Sequence, residues 1–264
     1  DHPGAHDLAY RARRNAISQL TQASRLGGLE PPVIDYTPEE NRTWATVNEK
    51  LRHLHLSLAS GLYLNARDHL DIPQTHIPQL RDLSGALKKF EGFSVGAVEG
   101  LIDGRTFLGS FAEGKILCTQ YIRHHSKPEY TPEPDIVHEV LGHVPMFVDP
   151  NFVHFSKLIG ATALVATPEE LVFLDRLYWF TIEFGLIQEG ADTKIYGAGL
   201  LSSCGEMPHC MTEEVEHRPF DLEEVLSTPY DFFHMQDKLF VISSFKELLE
   251  AAEPFLQGIL SRNT

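Results

Sequence analysis

Between Arg176 and Glu189 the chain carries one charge, Glu183, in the run Leu177-Tyr178-Trp179-Phe180-Thr181-Ile182-Glu183-Phe184-Gly185-Leu186. An ionised carboxylate buried in such company is costly unless a cation or a metal compensates it. A fold that buries this run must therefore bring positive charge to Glu183. One that leaves Glu183 on a polar outer face need not, and the run alone leaves both open. Just upstream, Thr167-Pro168-Glu169-Glu170 has the form of a helix start: a Thr cap, Pro at the first position and Glu three residues after the cap. A helix over Glu169 to Ile187 is predicted.

The second chemical signal lies in Pro132-Glu133-Pro134-Asp135-Ile136-Val137-His138-Glu139-Val140-Leu141-Gly142-His143-Val144-Pro145. Asp135 can cap a short helix that Gly142 and Pro145 limit, which puts His138 and His143 on one helix. Their i, i+5 spacing sets them roughly 140° apart on an α-helix, so convergence on one ion needs long reach or distortion near Gly142. The same spacing excludes the His-Glu-x-x-His zinc-protease pattern, whose ligands share one face at i, i+4. Two unrelated histidines with local partners remain the alternative. If His138, His143 and Glu183 converge, they leave about half an octahedral sphere open, as iron(II) needs to take dioxygen and substrate together. Zinc favours tetrahedral closure and has no redox chemistry.

A net charge of −15, from 22 Lys and Arg against 37 Asp and Glu, repels polyanions and argues against nucleic acid and acidic membrane as partners. Cys118, Cys204 and Cys210 are odd in number and lack zinc-ribbon spacing, which reads as free thiols in a reducing compartment. No apolar stretch approaches the roughly 20 residues that span a bilayer. The opening Asp1-His2-Pro3-Gly4 is unlike a signal peptide. A cytoplasmic location is the expectation.

No repeat or linker stands out, and a single compact domain is expected, mostly α with a few short β ribbons. Pro3 to about Ala23 reads as an entry segment and a helix. Thr37-Pro38-Glu39-Glu40 starts another, running through Trp44, Val47 and Leu51 toward Leu62. Further helices are predicted over Gln79 to Phe90, Asp135 to Pro145, Phe152 to Thr162 and Ser243 to Ile259. Strands are predicted at Ser94 to Val98, Lys115 to Thr119, Ile195-Tyr196 and Leu239 to Ile242.

Several longer runs carry a resemblance. They are Asp1-His2-Pro3-Gly4 with Tyr10-Arg11-Ala12-Arg13-Arg14, Cys118-Thr119-Gln120-Tyr121-Ile122-Arg123-His124, Tyr130-Thr131-Pro132-Glu133-Pro134-Asp135, the histidine segment, the Glu183 run, and Tyr196-Gly197-Ala198-Gly199-Leu200-Leu201-Ser202-Ser203. In this order they resemble the pterin-dependent aromatic amino acid hydroxylases over nearly the whole chain. The resemblance reads residues 1–264 as one catalytic hydroxylase domain, without the N-terminal regulatory module or long C-terminal oligomerisation helix of animal members.

The resemblance further implies Fe(II) held by His138, His143 and Glu183, with tetrahydrobiopterin or a related tetrahydropterin and O2 as co-substrates. Gly100, Leu101 and Ile102 would offer backbone groups to the pterin, Phe107 a stacking face and Glu139 a hydrogen bond. Arg123 would hold the substrate carboxylate by a two-point contact, helped by Thr131, Ser202 and Ser203. Pro134, His138 and Trp179 would form the aromatic pocket. Small molecules are then the partners, and a monomer is expected. The implied reaction is ring hydroxylation, with L-phenylalanine to L-tyrosine read from Trp179 and from Phe232 in Tyr230-Asp231-Phe232-Phe233. Tyrosine and tryptophan hydroxylation are the neighbouring readings. A zinc hydrolase using Glu139 as base and a non-catalytic amino-acid sensor are the readings from other classes.

Overall fold

The computed structural model describes residues 2–90, 92–232 and 234–262, so Asp1 and Phe233 of the runs above lie outside the described residues. The amino-terminal half contributes α1 (Leu8–Leu26), α2 (Pro38–Leu58), α3 (Gly61–His69), α4 (Leu80–Leu87), β1 (Ser94–Ala97), α5 (Gly104–Ala112) and β2 (Lys115–Cys118). A π turn over His138–His143 and a 3-10 turn over Val144–Val148 lead into α6 (Pro150–Val165) and α7 (Pro168–Tyr178). A second π turn, Trp179–Glu183, precedes β3 (Leu186–Glu189), β4 (Asp192–Ile195), α8 (Ala198–Leu201), α9 (Glu206–His209), β5 (Glu216–Pro219), α10 (Leu222–Ser227), β6 (Lys238–Ile242) and α11 (Phe245–Leu260). The mostly helical fold with few short strands is as expected. Among the described residues no helix is long and apolar enough to cross a membrane, and all three cysteines are free.

Both capped starts form. Thr37 and Thr167 each accept from the backbone N–H three residues on, while Glu40 and Glu170 bond back to the cap backbone. Such boxes satisfy two of the N–H groups a helix start leaves orphaned. Helix α2 buries Trp44, Val47 and Leu51, and α7 buries Leu174 and Leu177, in a core shared with α5, α6 and α11. Arg105, in the first turn of α5, donates to the carbonyls of Ala163 (2.5 Å) and Ala166 (2.7 Å), closing the end of α6. Here α5 crosses α6 closely, because Gly160 has no side chain to hold them apart.

Three predicted helices end early, the one expected to reach Phe90 stopping at Leu87. Helix α2 stops at Leu58 rather than running to Leu62: Ala59 turns extended and bridges Ile195, and Ser60 caps α3 by accepting from Tyr63 N–H. The helix predicted to Ile187 ends at Glu183. Leu186 and Ile187 instead pair with Val241 and Ile242 in a four-stranded sheet ordered β4-β3-β6-β5, and Gly190, at φ 64°, turns the β3–β4 hairpin. A helix-length apolar run fits a buried strand equally well, and tertiary pairing decided between them.

Replacing Gly160 by alanine would put a Cβ 2.4 Å from the Ala112 nitrogen and 2.7 Å from the Leu108 carbonyl oxygen. Neither is a flexible side chain that can yield. Gly160→Ala is expected to destabilise the fold by at least about 1–3 kcal/mol, read as a lowered urea midpoint with an unchanged m-value.

Candidate metal centre

The two π turns resolve the spacing problem. A π turn closes its hydrogen bonds i→i+5, and Val144 N–H bonds back to the Glu139 carbonyl in this way. Residues five apart then lie over one another, and His138 and His143 present Nε2 atoms 3.0 Å apart. In the second turn Phe184 N–H bonds to the Trp179 carbonyl at 2.8 Å, which brings Tyr178 over Glu183. The Tyr178 hydroxyl donates to Glu183 Oε2 at 2.9 Å. Asp135 plays the expected capping part, accepting from His138 N–H at 3.2 Å.

Glu183 is buried, and its two oxygens reach the two imidazoles: Oε1 lies 3.4 Å from His138 Nε2 and Oε2 lies 3.2 Å from His143 Nε2. The reading of Glu183 as a solvent-facing residue is thereby excluded. Among the described residues these three form the only group of His, Cys, Asp or Glu able to hold a metal, with ligand atoms all within 4.8 Å of one another. Donors bound to one ion at about 2.0–2.2 Å and at right angles to each other would stand about 3 Å apart, so the spacing fits.

The protons fit as well. The Ser202 hydroxyl donates to the Ala198 carbonyl at 2.8 Å and so accepts from His138 Nδ1–H at 2.9 Å, which leaves Nε2 as a lone pair facing the centre. Burial lowers the His138 imidazole to about 4, with Glu183 offsetting it only in part. For Glu183, burial pushes the carboxyl up, but the two imidazoles and Tyr178 outweigh it and bring it down to about 2. Burial lowers His143 and Glu183 raises it, the net result being upward. Tyr178 is pushed well above its usual range by burial and then by Glu183, so it stays a donor. His143 Nδ1 is buried with no partner. Several basic atoms thus face one point with few protons among them, a donor set suited to a divalent cation.

The other candidate residues distribute around this centre. Glu139 shares the first π turn, but its Oε1 accepts from Thr119 N–H (3.1 Å) and Thr119 Oγ1 (3.2 Å), and burial raises it to about 7. Phe107, on α5, meets the Tyr178 ring edge to face at 5.7 Å. Gly100, Leu101 and Ile102 lie in the loop before α5, with Leu101 75% exposed. Trp179 opens the second π turn, stacks on Tyr230 at 4.3 Å and donates from Nε1 to Gln236 Oε1 at 3.0 Å. Pro134 is half-buried, and Thr131 donates to the Glu133 carbonyl at 2.8 Å.

Three expectations need revision. The Arg123 fork already makes its two-point contact with a carboxylate of the chain: Nε and Nη2 donate to Asp135 Oδ2 (2.9 Å) and Oδ1 (2.8 Å), and both residues are buried. The second N–H of Nη2 and Nη1, which has a 3.3 Å contact to the Pro128 carbonyl, remain for another group. Ser202 is committed to Ala198 and His138, while Ser203 accepts from Glu206 N–H at the start of α9 and keeps its own O–H to donate. Phe232 is 68% exposed and meets Trp179 only at its ring edge, 5.0 Å away. Sequence reasoning missed Tyr178, Asp135 as the partner of Arg123, and Thr119. Tyr178 had a signal, since it precedes Glu183 by the same five residues that separate the histidines.

The family model for biopterin-dependent aromatic amino acid hydroxylases matches residues 1–263. Human tyrosine 3-monooxygenase is 45% identical over 98% of this chain and 50% of its own length. Rat phenylalanine-4-hydroxylase is 42% identical over 98% of this chain and 58% of its own. The chain thus spans about half the length of the curated relatives it matches. Among solved structures, Chromobacterium violaceum phenylalanine hydroxylase with bound oxidised Fe(III) superposes with a TM-score of 0.84 at 30% identity, covering 95% of this chain and 91% of that one. The apo form of the cold-active phenylalanine hydroxylase from Colwellia psychrerythraea gives 0.82 at 33% identity, covering 88% and 90%.

The centre is tested by Glu183→Gln, which keeps shape but removes the charge. Bound iron, measured by elemental analysis after reconstitution, is expected to fall at least about tenfold, as it should in His138→Ala and His143→Ala, with far-UV circular dichroism unchanged. Wild-type iron content in any one variant would remove that residue from the ligand set.

Proposed function

The chain belongs to the biopterin-dependent aromatic amino acid hydroxylases, and within that family we propose that residues 1–264 form a catalytic unit that hydroxylates the ring of L-phenylalanine. The observation that carries this reading is the convergence of His138, His143 and Glu183, the last of them on the π turn that Trp179 opens. Iron(II) held by these three would supply, with a tetrahydropterin, the activation of dioxygen. Ser202 keeps the His138 lone pair aimed inward, and Tyr178 holds the Glu183 carboxylate. Phe107 and the loop at Gly100-Leu101-Ile102 are assigned to the pterin, together with Glu139. Arg123, fixed by Asp135, directs the N–H groups left on Nη1 and Nη2 at the amino acid's carboxylate with help from Thr131. Pro134 and Trp179 confine the ring, so that little orientational freedom is left to lose on reaction.

The choice of phenylalanine over tyrosine rests on the absence of an inward carboxylate in the segment beside Trp179. Asp231 faces the exposed His234, its Oδ2 2.7 Å from His234 Nδ1. The Gln236 amide is engaged by Trp179 through its oxygen and by the Asp231 and His234 carbonyls through its nitrogen. Among the described residues, a phenolic hydroxyl brought against this wall meets no carboxylate to accept its proton, at about 1–3 kcal/mol if it is left unpaired. Tyrosine hydroxylation is the second reading, favoured by the relatives of that name.

Two measurements test the assignment. Arg123→Lys keeps the charge and loses the fork, so KM for phenylalanine is expected to rise at least about tenfold with the pterin KM little changed. An equal loss for an analogue without the carboxylate would count against the carboxylate contact. In competition among phenylalanine, tyrosine and tryptophan, with products read by mass spectrometry, phenylalanine is expected to lead in kcat/KM by roughly tenfold or more. Equality with tyrosine would move the assignment to the second reading.

A further inference from the structure

A buried polar network reaches the backbone that carries the metal centre, through carbonyls and not through the ligand side chains. It begins inside the first π turn, where the Tyr63 hydroxyl, from α3, donates to the Leu141 carbonyl at 2.6 Å. A second carbonyl, that of Leu201 at the end of α8, meets His55 Nε2 from α2 at 2.7 Å. A carbonyl can only accept, so His55 carries its proton on Nε2 and offers Nδ1 as a lone pair. Arg67 Nη1 donates to that lone pair at 2.6 Å, and Arg67 Nη2 donates to Asn48 Oδ1. All four side chains are buried.

We propose that Tyr63, His55 and Arg67 are positioning residues for the metal centre, holding the backbone one residue before Gly142-His143 and one residue before Ser202, the group that aims His138. The inference rests on reading His138, His143 and Glu183 as ligands. Its force comes from direction: Arg67 donates both to Asn48 and to His55, His55 donates onward to the Leu201 carbonyl, and Tyr63 donates to the Leu141 carbonyl inside the turn that carries both histidines. Burial and the Arg67 charge hold His55 down to about 3, which keeps it neutral and its two nitrogens in distinct roles. The bridge between Ala59 and Ile195, with Ser60 N–H on the Ile195 carbonyl at 2.8 Å, fixes the junction of α2 and α3 from which these side chains reach.

Cobalt(II) titration of the apo protein, followed by its visible d–d bands, is the test. Tyr63→Phe and His55→Leu are expected to weaken cobalt(II) binding at least about tenfold and to alter the band shape. His55→Gln, which retains a donor toward Leu201, is expected to recover most of the affinity. Arg67→Met, at the far end of the network, gives a smaller loss of the same sign and serves if either first variant does not fold. Affinities and bands within twofold of wild type in the folded variants, with only thermal stability lowered, would overturn the proposal by making the network structural. If wild-type protein binds no cobalt(II), or His138→Ala binds it equally well, the ligand reading fails and this inference with it.

Discussion

The carboxylate of Glu183 is buried among apolar side chains, and the surrounding structure supplies what that burial demands. An isolated ionised carboxylate at such a site would protonate or destabilise the fold. Glu183 stays ionised because two imidazoles and the Tyr178 hydroxyl face it. That convergence depends on two π turns, since an α-helix would carry His143 roughly 140° around its axis from His138. A π turn is rare and is frequent at functional sites. Here it appears in both segments that carry the metal donors.

Close backbone approach makes the arrangement rigid. A Cβ on Gly142 would stand 2.7 Å from the Ala198 carbonyl oxygen, and one on Gly199 would stand 2.9 Å from Glu183 Oε1. Helix α8 therefore lies directly against both π turns. It also carries the Ala198 carbonyl that orders Ser202, which in turn sets the tautomer of His138. The scaffold reaches the centre from the other side through α2 and α3. The site is thus held by close backbone approach on the α8 side and by the side chains of His55 and Tyr63 from α2 and α3.

The Arg123–Asp135 pair has a similar logic. Burial raises the Asp135 carboxyl and Arg123 more than reverses it, leaving Asp135 below its usual range. Breaking such a buried pair from one side leaves an uncompensated charge. Because Asp135 also accepts the His138 N–H, the orientation of the guanidinium and the start of the ligand helix are one structure. The group proposed to recognise substrate and a metal-site histidine are coupled here through one carboxylate.

What the chain determines by itself are the features that act over a few residues or through the chemistry of a single group. The capped starts at Thr37 and Thr167 close through bonds three residues apart, and the Asp135 cap works likewise. That Glu183 needs positive charge once its apolar run is buried follows from the chemistry of the carboxylate. Tertiary structure decided what depends on groups distant in sequence. The π register of the histidines, the partner of the Arg123 fork and the use of Ser202 on His138 all required contacts that no local pattern encodes. So did the strand at Leu186-Ile187, which β6 recruits from more than fifty residues away. The physical reason is one of range: an apolar run or a hydrogen-bonding side chain specifies that it must be satisfied, and only the packed fold determines by whom.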